Sequence, residues 1–260
     1  MGARPHASDA ATGSARPGIR LYVDAPLAAG AEVTLDRAQA HYLRNVMRVK
    51  AGSAIALFNP RDGEWRAMLE SAGKNDAECR VLDQVRAPIA EPDLWLVFAP
   101  VKRGPVDLVA QKATELGVSA LQPVFTRRTA VSRVNEDRLH AIAVEAAEQC
   151  ERLSVPAILP PLPLDRLLAG WSADRHILLC DETGAGPPIA RALAEAAAPA
   201  SAPWAVFTGP EGGYAPEELD AIRKLPIVTP ASLGPRVLRA DTAAIAALAC
   251  WQAALGDWGV

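Results

Sequence analysis

The sequence has few cysteines and no pair of them at metal-binding spacing. Its four cysteines lie far apart, and none belongs to a CxxC unit of the kind from which zinc sites are built. Scattered cysteines are typical of buried thiols in a reducing compartment. The sequence therefore predicts no metal site.

The sequence also has no signal peptide and no long apolar run. Its first residues are small and polar rather than a charged start followed by an apolar segment. The longest apolar tract, at about 243–255, is interrupted by Gln252 and is too short to cross a bilayer. We therefore expect a cytoplasmic protein with no membrane partner.

Two common nucleotide-binding motifs are absent as well. The glycine-rich segment 209–213 is not followed by the Lys and Ser or Thr of a Walker loop, and no GxGxxG follows a predicted strand. Glu211 lies within this segment, and Glu217 and Glu218 follow it, so the segment would repel a phosphate. A ligand without phosphates that offers amine and hydroxyl donors fits better than ATP or NAD.

Charge is distributed unevenly along the chain, whose formal net charge is −3. Residues 1–90 hold twelve Lys and Arg against ten Asp and Glu, whereas residues 91–260 hold fifteen against twenty. An acidic total argues against a protein that coats nucleic acid non-specifically. It permits a local basic face in the first part of the chain.

The first third of the chain predicts a disordered tail and a small β-barrel. Residues 1–17 are small, polar and proline-bearing, which is typical of disorder. From 18 to 88, short alternating segments separated by turn residues predict a β-barrel. The predicted elements are strands Arg20–Val23, Ala54–Phe58, Glu64–Glu70 and Glu78–Val85 and a helix at Asp36–Arg48. Prolines in Ala87–Pro92 indicate a stiff linker.

From residue 92 onwards, strands and helices alternate. This order is typical of an α/β domain with a mostly parallel sheet. The predicted strands are Leu94–Val101, Ala120–Phe125, His176–Cys180, Trp204–Phe207 and Ile227–Pro230, and the predicted helices are Pro105–Leu116, Glu136–Arg152 and Thr242–Leu255. Leu248 and Trp251 lie on one side of the last helix, a side that either packs internally or forms a dimer contact.

Two loops follow the last two predicted strands. The first, FTGPEGGY at 207–214, has three glycines and a proline in five residues, which suits a backbone that turns sharply and lies close to a ligand. The second, SLGPRVLRADTA at 232–243, carries Arg236 and Arg239, and Asp241 or Thr242 is expected to cap the next helix. Open α/β sheets bind ligands at the carboxyl ends of their strands, so both loops are expected at one site.

Together these loops resemble the cofactor-binding knot of the SPOUT class of RNA methyltransferases. More narrowly, GPEGG and LGPRVLR match the RsmE-type enzymes, which methylate N3 of a uridine in 16S ribosomal RNA. The segments HYLRNVMR at 41–48, QKATELGV at 111–118 and EAAEQCER at 145–152 are also similar to that family. The family usually has Glu where this chain has Asp241 and often Thr where it has Ala240.

The resemblance implies the architecture, the cofactor and the partners. It implies an α/β SPOUT domain at 92–260 whose parallel sheet is closed by a deep trefoil knot, after a PUA-like RNA-binding barrel at 18–88. It implies S-adenosylmethionine as cofactor, 16S ribosomal RNA or the small ribosomal subunit as partner, and a homodimer. The residues expected to bind the cofactor, with help from the turn at 181–186, are Thr208, Gly209, Pro210, Glu211, Gly212, Gly213, Leu233, Gly234, Val237, Leu238 and Arg239.

The same resemblance indicates which side chains do the chemistry. Methylation of uridine N3 requires loss of the imide proton and stabilisation of charge on the uracil oxygens. Arg239 is the first candidate for that stabilisation and Arg236 the second, while Glu211 could contact the cofactor or assist the proton. The residues predicted to contact RNA are Arg20, Arg44, Arg48, Lys50, Arg127 and Arg128.

Two other functional classes remain open from the residues. One is a nucleotide-binding oxidoreductase on a doubly wound sheet, which the missing dinucleotide fingerprint disfavours. The other is a non-catalytic RNA-binding or ribosome-assembly factor with the same fold. Arg44, Arg48 and Lys50 also fit a solvated helix face, and Glu148 with Arg152 fits an exposed helical pair.

Overall fold

A computed structural model describes residues 17–101, 104–184, 186–196, 198–199 and 201–259. Residues 1–16 of the tail predicted at 1–17 lie outside these ranges. The described residues group into two compact units, and the chain passes from the first to the second between Ile89 and Ala90.

The first unit is a five-stranded sheet. Its strands are β1 (Arg20–Tyr22), β2 (Glu32–Leu35), β3 (Ala54–Asn59), β4 (Gly63–Ala72) and β5 (Ala77–Arg86), in the order β1-β3-β4-β5-β2. The pair β1 and β3 is parallel, and the other pairs are antiparallel. The strand β2 was not predicted, because its four residues are too few to show a clear alternation; pairing with β5 holds it in place.

A short helical segment joins β2 to β3. Helix α1 (Arg37–His41) begins with a reciprocal cap, because Asp36 Oδ1 accepts from Gln39 N at 2.8 Å and Gln39 Oε1 accepts from Asp36 N at 3.2 Å. It continues as a π-helical turn at Tyr42–Val46. The predicted helix extended to Arg48, but Arg48 has φ of 54°, a left-handed conformation that ends the helix earlier.

Arg20 belongs to a buried ion cluster, which corrects its predicted contact with RNA. Its side chain is 6% exposed, its Nε lies 2.9 Å from Glu64 Oε2, and its guanidinium carbon lies 4.1 Å from the centre of the Phe58 ring. Glu64 is fully buried and also accepts from Arg86. A buried carboxylate requires such partners, so Arg20 stabilises the sheet and is not available on the surface.

The second unit is an α/β domain. Its strands are β6 (Leu94–Phe98), β7 (Ala120–Phe125), β8 (Ala157–Ile158), β9 (Leu162–Pro163), β10 (His176–Cys180), β11 (Trp204–Thr208) and β12 (Val228–Ala231). Its helices are α2 (Gly104–Glu115), α3 (Glu136–Gln149), α4 (Leu164–Ala169), α5 (Ile189–Ala194), α6 (Pro216–Arg223) and α7 (Ala240–Ala254), followed by a 3-10 turn at Asp257–Gly259.

Every strand pair in this second sheet is parallel, which confirms the predicted fold class. The strand order is β12-β10-β11-β6-β7-β8, and β9 also pairs with β7. Alternate residues of β11 enter different cores: Trp204 and Val206 pack on one face of the sheet, and Ala205 and Phe207 on the other. Burial on both faces explains why these strands are continuous apolar runs.

The last helix is packed inside its unit. Leu248 and Trp251 are fully buried in the core that α7 shares with α2, α5 and β11, so this side of the helix is internal. Gln252 is also buried and donates from Nε2 to the carbonyl of Leu116 at 2.7 Å. Within the part of the chain that the structure describes, no helix is both long and apolar enough to cross a membrane.

Arg152 is a buried bridge, because its side chain is 7% exposed, and it does not belong to an exposed helical surface. Its guanidinium donates to Glu91 Oε2 at 2.8 Å, to the carbonyl of Thr114 at 2.9 Å and to the carbonyl of Val118 at 2.7 Å. The bridge therefore ties the start of the second unit to the end of α2.

Candidate active site at the carboxyl edge of the parallel sheet

Three loops meet at one edge of the second sheet. They follow β10, β11 and β12, which are adjacent and parallel, so residues 181–184 with 186–188, residues 209–215 and residues 232–239 leave the sheet at the same end. Glu182 Oε1 joins the first two loops by accepting from Tyr214 N at 2.7 Å. Ser232 joins the first and third, because its N donates to Pro187 O at 2.8 Å and its carbonyl accepts from Ile189 N at 3.0 Å. This juxtaposition confirms that the two predicted loops share one sheet edge.

The glycine-rich loop needs glycine at specific positions. Gly213 has φ of 69°, and its N donates to Pro210 O at 2.9 Å. A Cβ at Gly213 would overlap the Glu182 carboxylate, lying 3.0 Å from Cδ. Glu211 and Gly212 are exposed, whereas Thr208 is buried at the strand end. The tip of the loop is therefore exposed to solvent. At its base, the lack of a glycine side chain allows neighbouring segments of the same chain to lie close.

The buried groups beneath this loop are not suited to proton transfer near neutral pH. Burial raises the pKa of Tyr214 well above its ordinary value, and its hydroxyl has no hydrogen-bond partner among the described residues. Burial also raises the pKa of Cys180 to about 12. Both side chains therefore stay neutral, and their role is packing.

Asp181 anchors the loop after β10. Burial favours its neutral form, but hydrogen bonds from Thr183 (N at 2.9 Å and Oγ1 at 2.6 Å) and the ion pair with Arg223 outweigh burial and lower its pKa. Asp181 is consequently ionised and holds α6 against this loop. Its carboxylate is saturated by these partners and is not available as a base.

The third loop presents two cations and unpaired backbone donors. Arg236 is exposed, and the Arg239 side chain is 74% exposed with Nε 3.8 Å from Asp241 Oδ1. Gly234 has φ of 106°, and Val237 is 93% exposed. Within this loop, the backbone N–H groups that donate to no other described residue are those of Leu233, Arg236, Val237, Leu238 and Arg239. Such a loop can donate to a bound ligand.

The prediction that Asp241 or Thr242 caps the following helix is wrong. Helix α7 begins at Ala240 with Arg239 as its N-cap residue, and no side chain caps it. Asp241 and Thr242 lie within the first turn, where Asp241 Oδ1 accepts from Thr242 N at 2.8 Å. The carboxylate of Asp241 therefore complements the positive helix end and lies beside Arg239.

Comparison with known proteins decides the family. Residues 90–252 match the RNA methyltransferase domain family, and residues 35–82 match the RNA methyltransferase PUA domain family. A protein named ribosomal RNA small subunit methyltransferase E from Rickettsia conorii is 30% identical over 236 residues, which cover 88% of this chain and 93% of that protein. The chain belongs to the ribosomal RNA small subunit methyltransferase E family.

Further relatives of this methyltransferase E family chain agree in sequence and in structure. The Synechocystis protein is 35% identical over 84% of this chain and 72% of its own length. The Neisseria gonorrhoeae enzyme, solved bound to S-adenosyl methionine, has a TM-score of 0.81 at 27% identity and covers 92% of this chain and 99% of its own. A Legionella pneumophila protein solved with SAM has a TM-score of 0.80 at 29% identity, covering 94% and 100%. The predicted family and the SPOUT-type fold are confirmed.

Apart from Arg20, the cations predicted to contact RNA in this methyltransferase E family member lie in two places. Arg127 and Arg128 follow β7 at the same sheet edge as the three loops: Arg127 Nη1 lies 2.9 Å from Glu217 Oε2, and Arg128 Nη1 donates to Gly212 O at 2.6 Å. In the first unit, Arg44 Nη1 donates to Gly73 O at 2.9 Å, whereas Arg48 and Lys50 are exposed.

The sequence did not indicate the contacts of three residues that support the site, although the turn at 181–186, which contains Glu182, was expected to contribute to it. Glu182 binds the glycine-rich loop, and Arg223 binds Asp181 in the loop after β10. Arg128 was predicted to contact RNA, and its contact with Gly212 O was not predicted. The signal for Glu182 was its position directly after a predicted strand that lies beside the glycine-rich loop. Arg223 carried no local signal, because it lies in the last turn of an ordinary amphipathic helix.

Proposed function

We propose that this protein transfers a methyl group from S-adenosylmethionine to N3 of a uridine in 16S ribosomal RNA. The observation that supports this proposal most directly is that the glycine-rich loop and the arginine-bearing loop lie at one edge of the parallel sheet. Membership of the methyltransferase E family and the relatives solved with SAM support the cofactor and the RNA class. The choice of uridine N3 rests on the match of GPEGG and LGPRVLR to that family's pattern.

The loops suit S-adenosylmethionine, which has amine, hydroxyl and carboxylate groups but no phosphate. Backbone N–H groups at 233 and 236–239 are unpaired among the described residues, and exposed glycines at 212 and 234 permit close approach. Glu211 suits amine or hydroxyl donors and disfavours phosphates. The residues we propose to hold the cofactor are Thr208, Gly209, Pro210, Glu211, Gly212, Gly213, Leu233, Gly234, Val237, Leu238 and Arg239.

The protein's task in catalysis is to orient the uridine and to stabilise charge. When bound, S-adenosylmethionine supplies an electrophilic methyl group. Arg239 lies at the N-terminus of α7 with an exposed guanidinium, and the positive end of that helix adds to its field. We propose that Arg239, helped by Arg236, stabilises the negative charge that develops on a uracil oxygen as the imide proton leaves. Glu211, which is exposed in the facing loop, is the proposed acceptor for that proton.

The first unit is the proposed RNA-binding domain, with limits at 18–88, and the methyltransferase domain is proposed to span 92–260. Residues 44–50 carry three cations on a helical turn and its exit, which suits contact with phosphates. Arg127 and Arg128 were also predicted to contact RNA; Arg127 remains a candidate for this role because it is exposed at the site edge.

We propose that the chain after β12 is threaded to form a trefoil knot; the backbone contacts between 186–189 and 230–232 support this threading. A Cβ at Gly186 would lie 2.9 Å from Ala231 N and 3.0 Å from Pro230 C, so glycine permits the two segments to cross closely. The proposed homodimer rests on the family resemblance, and the proposed cytoplasmic location rests on the scattered cysteines, which are typical of a reducing compartment.

Transfer of labelled methyl groups tests the proposed function. The full chain with labelled S-adenosylmethionine is expected to methylate 16S ribosomal RNA, free or within small subunits, taken from a strain lacking the enzyme. Mass-spectrometric mapping should place the label on N3 of one uridine. Cofactor binding without transfer would favour a non-catalytic assembly factor, and a label on another atom would exclude uridine N3.

Charge reversal on the first unit tests the RNA surface. Replacing Arg44→Glu together with Arg48→Glu should weaken RNA binding and reduce the salt slope of log affinity by about 1.5, because each phosphate contact contributes roughly 0.7 to 0.9. RNA affinity measured at several salt concentrations checks this, alongside cofactor calorimetry, which should be unchanged.

The matched control for this charge reversal is Arg166→Glu with Arg191→Glu, which makes the same charge change at exposed arginines of the second unit. That control should alter the salt slope much less. Wild-type affinity and slope in the Arg44 and Arg48 variant would mean that this segment is a solvated face. Circular dichroism checks that losing the Arg44 contact with Gly73 leaves the fold intact.

A further inference from the structure

Two charged side chains from other segments bind the backbone of the glycine-rich loop. Arg128, in the turn after β7, donates from Nη1 to Gly212 O at 2.6 Å. Glu182, in the loop after β10, accepts from Tyr214 N at 2.7 Å. The loop is therefore held at consecutive peptides by one cation and one anion, neither of which belongs to it.

The peptide between Gly212 and Gly213 is the one that most needs an external hold. Glycine on both sides leaves its plane free to rotate with little steric cost, unlike a peptide flanked by side chains. Its N–H donates to Pro210 O at 2.9 Å, and its carbonyl is the oxygen that Arg128 binds. Arg128 thus selects one orientation of this peptide and, with it, the direction of the exposed loop tip.

Arg128 is itself fixed by a tight turn. Thr129 Oγ1 accepts from Thr126 N at 2.9 Å, and Thr129 N donates to Thr126 O at 3.1 Å, which closes the turn at 126–129. The aliphatic stem of Arg128 lies against Gly212, where a Cβ would be 3.4 Å from Arg128 Cδ. A preorganised turn loses less conformational freedom when its side chain binds, so the contact can persist at the surface.

We propose that Arg128 is a positioning residue for cofactor binding: it orients the Gly212–Gly213 peptide and acts through the loop. This inference rests on the proposed function, because it assumes that the loop holds S-adenosylmethionine. It differs from the RNA contact that the sequence predicted for Arg128. Arg127, one residue earlier, faces Glu217 and makes no contact with the loop tip among the described residues, so the two adjacent arginines have separate roles.

The test compares Arg128→Met, Arg128→Lys and Arg127→Met in the full chain. Met keeps an unbranched stem over Gly212 but removes the donors, whereas Lys keeps one donor. Arg128→Met is expected to weaken S-adenosylmethionine binding about five- to tenfold by calorimetry without RNA, the scale of one typical net hydrogen bond. Arg128→Lys should recover most of the affinity. Arg127→Met, which loses the same charge, should bind the cofactor as wild type does.

Kinetics separate positioning from a general structural effect. In Arg128→Met, the KM for S-adenosylmethionine should rise about as much as the dissociation constant, while kcat at saturating cofactor stays within about twofold. The melting temperature should be unchanged, because Arg128 is exposed. If Arg128→Met destabilises the fold, Arg128→Lys still tests the proposal, because equal loss of cofactor affinity in a folded Lys variant would overturn it.

Other outcomes overturn the inference in distinguishable ways. Wild-type cofactor affinity in Arg128→Met, with weaker RNA binding and a salt slope reduced by about 0.7 to 0.9, would make Arg128 an RNA contact and leave the proposed function standing. Failure of the wild-type chain to bind S-adenosylmethionine would remove the proposed function and this inference together. Equal loss of cofactor affinity in Arg127→Met would show a non-specific charge effect.

Discussion

Replacing Arg239 with Ala is expected to lower the turnover rate by on the order of a hundredfold or more, with a much smaller change in cofactor affinity. The guanidinium is 74% exposed, and its ion pair with Asp241 is a loose 3.8 Å approach. The substitution therefore removes little packing, and its main effect falls on the charge that develops in the uracil. Single-turnover kinetics at saturating S-adenosylmethionine and RNA measures that effect directly.

Two companion variants sharpen the Arg239 test. Arg239→Lys keeps the charge but loses the planar fork of donors, so it should recover only part of the rate. Arg236→Ala removes a neighbouring exposed cation of the same loop and should reduce turnover less. Near-normal turnover in Arg239→Ala, with a large loss in Arg236→Ala, would transfer the role to Arg236.

Replacing Gly213 with Val is expected to weaken S-adenosylmethionine binding by at least about a hundredfold. The φ of 69° costs a non-glycine residue roughly 1 to 2 kcal/mol, and a β-branched side chain suffers most. The new Cβ would also displace the Glu182 carboxylate and so release the N–H of Tyr214. The loop would then lose both its conformation and its anchor. Calorimetry with the cofactor measures the loss.

Gly30→Val is the matched control for backbone strain. Gly30 has φ of 81°, no atom lies within 4 Å of the position that a Cβ would take there, and the residue belongs to the first unit. Both variants bear similar backbone strain, so both should be less stable, but only Gly213→Val adds the overlap with Glu182, and the Gly30 variant should retain cofactor affinity. A folded Gly213→Val protein with unchanged affinity would place the cofactor away from this loop.

The parallel sheet could be predicted because its strands carry their own local signal. Strands such as Trp204–Thr208 are buried on both faces, so they read as continuous apolar runs between glycine- and proline-bearing turns. The short elements β2, α4 and α5 escaped prediction for the opposite reason. They have four to six residues each, and packing against neighbours stabilises them more than their own propensity does.

The helix boundaries show how local chemistry competes with the surrounding structure. Asp36 caps α1 reciprocally with Gln39, as its type favours, whereas α7 begins at Ala240 without a side-chain cap although Asp241 and Thr242 follow at once. Burial of Leu248 and Trp251 sets the position of α7, so the cap is dispensable. Packing energy over a long buried face exceeds the roughly 1 kcal/mol of one capping bond.

The parallel α/β sheet and the placement of two loops at one of its edges could be inferred from the sequence, because residue periodicity and the order of strands and helices are local properties. The roles of Arg20, Arg128 and Glu182 depend on tertiary contacts. Each of these contacts joins segments far apart in the chain: 44 residues separate Arg20 from Glu64, 84 separate Arg128 from Gly212, and 32 separate Glu182 from Tyr214. A charged residue looks the same in sequence whether it faces solvent or binds a distant backbone group, and folding alone brings the partner within reach.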